Sequence, residues 1–141
     1  MNKKDLILHV LSLAENRSLS PVQIQKLLFL IDERISHSII GGKFFNFKPY
    51  DFGPFDKQIY IELDSLITDG LIDVEYIEKV KYFHLKDISL STQINSEIND
   101  KIKNLCAFVK KCSFKELLTA IYNEYPSMAV NTVFKGWVKQ S

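Results

Sequence analysis

Cysteine and histidine are scarce in this 141-residue chain: two of the first, Cys106 and Cys112, and three of the second, His9, His37 and His84. The cysteine spacing fits no zinc pattern and the histidines are scattered, so no sequence-local metal site can be assembled. Six positions apart on a helix, the cysteines lie on different faces, which predicts two reduced packing residues in a reducing compartment. Long apolar runs are missing as well. After Lys3 and Lys4 the first apolar stretch is broken by Asp5, His9, Glu15 and Asn16, so neither a signal-peptide core nor a membrane span is expected, and a cytoplasmic location is. Charge of one sign is not in excess: the formal net charge is +1, and no global basic field favours nucleic acid. Repeats, linkers and low-complexity segments are absent too, and the whole of 1–141 reads as one domain.

What is present is a globular composition, 46% hydrophobic and 25% charged, with enough chain to bury a core. The charge is uneven along it. Residues 1–75 hold 8 Lys/Arg and 11 Asp/Glu, a balance of −3, and residues 76–141 hold 10 and 6, a balance of +4.

Residues 4–16 carry Leu6, Ile7, Val10, Leu11, Leu13 and Ala14 at helical spacing. Ser20, Pro21 and Gln23 form an N-cap, a first-turn proline and a capping box, opening a helix that should end before Gly41-Gly42. Its face of Ile24, Leu27, Leu28, Ile31 and Ile35 is widened by Phe29 and Leu30, which predicts burial on more than one side. Residues 43–48 suit a short strand. Helical period returns from Phe55 to Gly70, with Asp56 at the positive end of the dipole. Two strand-like runs, 71–77 and 80–85, flank a tight turn at Glu78-Lys79. Residues 91–111 read as a helix. Ser113 to Glu116 is a second capping box, opening a helix that Tyr125-Pro126 ends, and the apolar tail from Met128 to Trp137 should dock on the domain. The fold expected is α+β and mainly helical: a winged-helix-like core (helix, helix, strand, helix, hairpin) with additional C-terminal helices.

The segment Pro49-Tyr50-Asp51-Phe52-Gly53-Pro54-Phe55 stands out, because two prolines and a glycine cannot continue a helix. Tyr50, Phe52 and Phe55 either fill a gap in the core, with Gly53 turning the chain, or form a partner-binding surface, where aromatics concentrate. The core-filling reading is the expected one.

No nucleophile–base–orienter arrangement is apparent. His37 and His84 have no motif around them, Gly41-Gly42 lacks the spacing of a phosphate cradle, and Asp32 and Glu33, as neighbours on a helix, do not face one another. Neither an enzyme nor a cofactor is expected. DNA binding through a wing meets an obstacle: the helix before the hairpin carries Asp56, Glu62, Asp64 and Asp69 against Lys57, and phosphate contacts need cations. Candidate cationic contacts are Lys79 and Lys81 on the wing and Lys101, Lys103, Lys110 and Lys111 further on, with Lys115 beyond them. These form either a solvated face or a surface for nucleic acid or an acidic partner.

Four sequence patterns carry a resemblance. Gln25-Lys26-Leu27-Leu28-Phe29-Leu30 is followed by Phe45-x-Phe47-x-Pro49-Tyr50-x-x-Gly53-Pro54-Phe55, then by Leu66-x-x-x-Gly70-Leu71-Ile72 and Ile121-Tyr122-x-x-Tyr125-Pro126. Over roughly residues 20–130 this resembles the Panacea (SocA-like antitoxin) family and its YwgA-like relatives, and the Phe-rich entry to the loop leans toward the relatives. The resemblance implies a bacterial or phage protein and a compact, mostly helical domain with a short sheet. It also implies a non-enzymatic role in binding a protein partner such as a cognate toxin. It brings no catalytic residues. The alternative function is a winged-helix DNA-binding regulator using the wing and the Lys-rich helix.

Overall fold

The computed structural model describes residues 1–86 and 94–138. Helix α1 (Lys3–Leu13) opens on a reciprocal cap, Asn2 Oδ1 accepting from the Asp5 amide at 2.8 Å while the Asp5 carboxylate accepts from the Asn2 amide at 3.0 Å. Strand β1 (Ser18–Leu19) follows, and then α2 (Pro21–Arg34), opened by the Ser20–Gln23 box and Pro21 as the sequence predicts. Short α3 (His37–Ile40) is closed by Gly41 at φ +75°. Next come β2 (Lys48–Tyr50), β3 (Gly53–Phe55) and α4 (Lys57–Thr68), and then the hairpin of β4 (Ile72–Ile77) and β5 (Val80–Leu85). Helices α5 (Ser96–Lys111) and α6 (Phe114–Glu124) and two 3₁₀ turns, Pro126–Ala129 and Lys135–Trp137, complete the described chain. The part of the expected 91–111 helix at residues 91–93 lies outside the described residues.

The fold is α+β, mainly helical, with a winged-helix-like core of α1, α2, α4 and the β4–β5 wing, to which the C-terminal helices are added. Strand β1 pairs antiparallel with β5, Leu19 opposite Phe83, so the sheet order is β1-β5-β4. The wing turns at Glu78 and Lys79, with φ +50° and +70°. That is the positive-φ pair of a two-residue primed turn, made here without the usual Asn-Gly.

α2 is the core. From Ile24 to Asp32 every residue is buried, with α5 and β3 packed alongside. Phe29 is the aromatic hub, edge-on to Phe47 at 5.4 Å and to Tyr125 at 5.1 Å. Cys106 is buried and Cys112 half-buried, and both are free thiols. Burial pushes the Cys106 thiol up to about 12, so it behaves as a packing residue.

Two expectations are corrected. The strand expected over 43–48 is displaced to Lys48–Tyr50. The amides of Phe44 and Phe45 donate to the two carboxylate oxygens of Asp32, both at 2.9 Å, which curls this backbone around the end of α2 and removes it from ladder pairing. The rings that plug the core here are Phe44 and Phe45. Tyr50 and Phe52, expected to do so, are each 52% exposed, and Phe55 is half-buried. The 49–55 segment is a two-stranded ribbon whose tip projects its aromatics outward.

Candidate functional site

The ribbon sits over α2 and is fastened to it by two consecutive polar residues. Gln25 exchanges a pair of hydrogen bonds with the backbone of Asp56: its Nε2 donates to the Asp56 carbonyl at 2.9 Å, and its Oε1 accepts from the Asp56 amide at 3.0 Å. Lys26 Nζ donates to the Pro54 carbonyl at 3.0 Å. These clamps place Asp56 to cap α4, with one carboxylate oxygen accepting from the Gln58 amide and the other from Asn46, both at 2.8 Å. Such a cap stabilises by about 1 kcal/mol.

On the other side the C-terminal tail holds the ribbon tip. The Val133 amide donates to the Asp51 carbonyl at 3.1 Å, and Asn131 Nδ2 donates to the Pro49 carbonyl at 2.9 Å. Buried Thr132 donates to the Asp51 carbonyl at 3.3 Å and accepts from the Tyr122 hydroxyl at 2.8 Å. Gly53, at φ +86°, is pressed onto α6: a Cβ there would lie 2.9 Å from Leu118 Cδ2.

Between ribbon and α2 lies a cleft of about 320 Å³, lined by Val22, Gln25, Lys26, Tyr50, Asp51, Phe52, Gly53, Phe55 and Tyr60. Its walls are aromatic: Tyr50 meets Phe55 edge-on at 5.3 Å, and Phe55 meets Tyr60 at 5.6 Å. Lys26 is 3% exposed, and burial lowers its ammonium from 10.5 to about 8. Burial also raises the Tyr60 hydroxyl, against a hydrogen bond with Gln25 that lowers it. Around the tip the aromatic surface continues. Phe52 lies 6.3 Å from Phe114 and 5.8 Å from Phe134, which stacks on Trp137 at 3.9 Å with Lys115 above the indole. Phe52, Phe114 and Tyr50 are all exposed large apolar residues.

Of the predicted site residues, the structure therefore brings Tyr50, Phe52 and Phe55 together, on an open face. It separates the lysines. Lys79 is at the exposed wing turn and Lys81 lies 5.0 Å from the Phe83 ring. Lys101 pairs with Glu97 at 3.9 Å and borders a hollow with Arg34 and Phe108. Lys103, Lys110 and Lys111 border a different one with Leu13, Glu15 and Ala107. Lys110 donates to the Ser18 carbonyl at 2.9 Å and covers Tyr82, which ties α5 to the wing sheet.

Of the histidines, His9 is buried against Asn99 at 2.7 Å, with burial lowering its pKa, and His84 faces Asp73 across the wing at 3.2 Å. His37 is exposed on α3. Among the described residues no group of three His, Cys, Asp or Glu could hold a metal ion, and no helix is long and apolar enough to cross a membrane.

Sequence reasoning missed Lys26 and Gln25 as site residues. The signal was available: a helix apolar on nearly every side that nonetheless carries Gln25-Lys26 mid-stripe must give those groups partners.

Compared with known proteins, the chain matches no protein-family model, no curated protein and no solved structure.

Proposed function

We propose that this is a non-enzymatic protein-interaction module of the antitoxin type, from a bacterium or phage, that binds a toxin or other protein partner through the aromatic ribbon. The observation that carries this reading is the half exposure of Tyr50 and Phe52 on a backbone tied down from both sides. Rings that filled a gap would be buried. Exposed aromatics on a rigid frame are instead what protein interfaces use as anchors, because little conformational entropy is lost on docking. The sequence resemblance to Panacea and YwgA-like proteins, centred on this ribbon and the α2 segment beneath it, supports the same reading.

The DNA-binding alternative has weaker support. Its α5 lysines border two separate hollows, Lys110 is committed to a backbone carbonyl, and the exposed residues of α4 include a single cation, Lys57, beside Ile61, Asp64 and Thr68.

Co-expression with the product of the adjacent gene tests the proposal. Copurification should be reduced at least tenfold by Tyr50→Ala with Phe52→Ala, with the fold retained. A pair that neither copurifies nor alters growth removes the antitoxin reading.

A further inference from the structure

The cleft beneath the ribbon has a cation at its base and aromatic walls. The ammonium of Lys26 has three N–H groups, and among the described residues its one hydrogen-bond acceptor is the Pro54 carbonyl. A buried ammonium with protons to spare, beside a cleft of about 320 Å³, is matched by an anionic oxygen. The charge such an anion can carry is limited. Lys26 is the only cation among the lining residues, and Asp51 adds a carboxylate at the exposed tip. A phosphate dianion would therefore be undercompensated, and a single carboxylate is the better match. The remaining walls, Val22, Tyr50, Phe52, Phe55 and Tyr60, call for an apolar body next to that charge. The volume is at the small end of ligand pockets, room for about one large residue. An internal acidic residue brings a carboxylate without a bulky apolar group, whereas a chain's last residue carries both.

We propose that the cleft receives the C-terminal residue of a partner polypeptide, its carboxylate on Lys26 Nζ and its apolar side chain between Tyr50, Phe55 and Tyr60. Capture of a chain terminus is a recurring mode of peptide recognition. The proposal rests on the interaction-module reading for its occupant, not for the chemistry of the cleft.

The test is calorimetric titration of the full chain with a tetrapeptide ending in phenylalanine, as free acid and as C-terminal amide, beside 3-phenylpropionate. The free acid should bind at least tenfold more tightly than the amide. Lys26→Met, nearly isosteric, should abolish that preference while a thermal melt shows a folded protein. Tyr50→Ala, on the exposed wall, should weaken the free acid without unfolding anything. Equal binding of acid and amide, or no binding of either, overturns the proposal. Binding of 3-phenylpropionate alone overturns the peptide occupant and leaves a small acid in its place. A partner that copurifies undiminished after its C-terminus is extended by several residues also overturns it, while the interaction reading stands. An acid preference with no copurifying partner does the reverse.

Discussion

Pro49 and Pro54 face each other across the β2–β3 ribbon. Neither has an N–H, so the pair occupies a site of the antiparallel ladder where no hydrogen bonds cross and the carbonyls point away. Both carbonyls are taken from outside, Pro49 by Asn131 and Pro54 by Lys26. An isolated two-stranded ribbon is marginal in water. This one is held by α2 beneath and by the tail at its tip, which lets it expose its aromatics without collapsing onto them.

The Lys26 clamp should make stability depend on pH. The ammonium is lowered by burial from 10.5 to about 8. Between those values the folded chain has released the proton and the unfolded chain still holds it, so stability rises with pH. Below about 8 both states hold it and this dependence vanishes. Urea melts at pH 7.5 and 9.5 should show wild type gaining about 2 kcal/mol relative to Lys26→Met. The same pH response in both proteins would mean that the burial penalty is not there.

Gly53 and Gly70 both have positive φ, +86° and +77°, but only Gly53 is crowded, against Leu118 and Tyr122. Gly70→Ala should cost about 1 kcal/mol, from backbone strain alone. Gly53→Ala adds overpacking against a fully buried Leu118 and should cost about 2–4 kcal/mol. Denaturant midpoints decide it, and equal losses at the two sites would contradict the close approach to α6.

The helices were legible in the sequence because their signals are local. Ser20 with Gln23 and Ser113 with Glu116 make the capping boxes that their spacing announces, and the wing turn falls at Glu78-Lys79 as expected. What was not legible depends on contacts far apart in the chain. The strand expected at 43–48 is lost to Asp32, twelve residues or more away, whose carboxylate takes the amides of Phe44 and Phe45. Burial holds that carboxyl above its usual range even against these bonds and that of Ser36. Strand β1 is two residues long, too short for a periodicity to show. The aromatic segment 49–55 stands out in the sequence, but the exposure of Tyr50 and Phe52 does not, because apolar composition says nothing of which face is covered. The tail that holds the tip lies some eighty residues on.

Truncating the exposed rings should separate binding from folding. Tyr50 is half exposed and touches Phe55, and Phe52 is equally exposed but joins the cluster of Phe114 and Phe134. Each edge-on or tilted contact contributes about 0.5–1.5 kcal/mol. Tyr50→Ala should therefore cost about 1 kcal/mol and Phe52→Ala about 2, both below the 3–5 kcal/mol of a core aromatic. Thermal melts measure this, and a loss above 4 kcal/mol at either position would return that ring to the core.

Thr132 offers the sharpest test of the ribbon's second anchor. Its hydroxyl accepts from the Tyr122 hydroxyl and from the Phe134 amide and donates to the Asp51 carbonyl, and the residue is buried. Thr132→Val keeps the shape but leaves the buried Tyr122 hydroxyl without its acceptor, at a cost of about 2–3 kcal/mol. Tyr122→Phe, which removes the orphan in advance, should cost about 1 kcal/mol. In that background Thr132→Val should cost about 1–2 kcal/mol less than it does alone, because the two groups form one network. Strict additivity in this cycle would show that the hydroxyl pair does not hold the tail. Amide exchange gives an independent readout. If Thr132 is the anchor, the Val133 amide, bonded to Asp51 at the tip, should lose protection in Thr132→Val more than the amides of α2 do, because opening there would release the tip without unfolding the core.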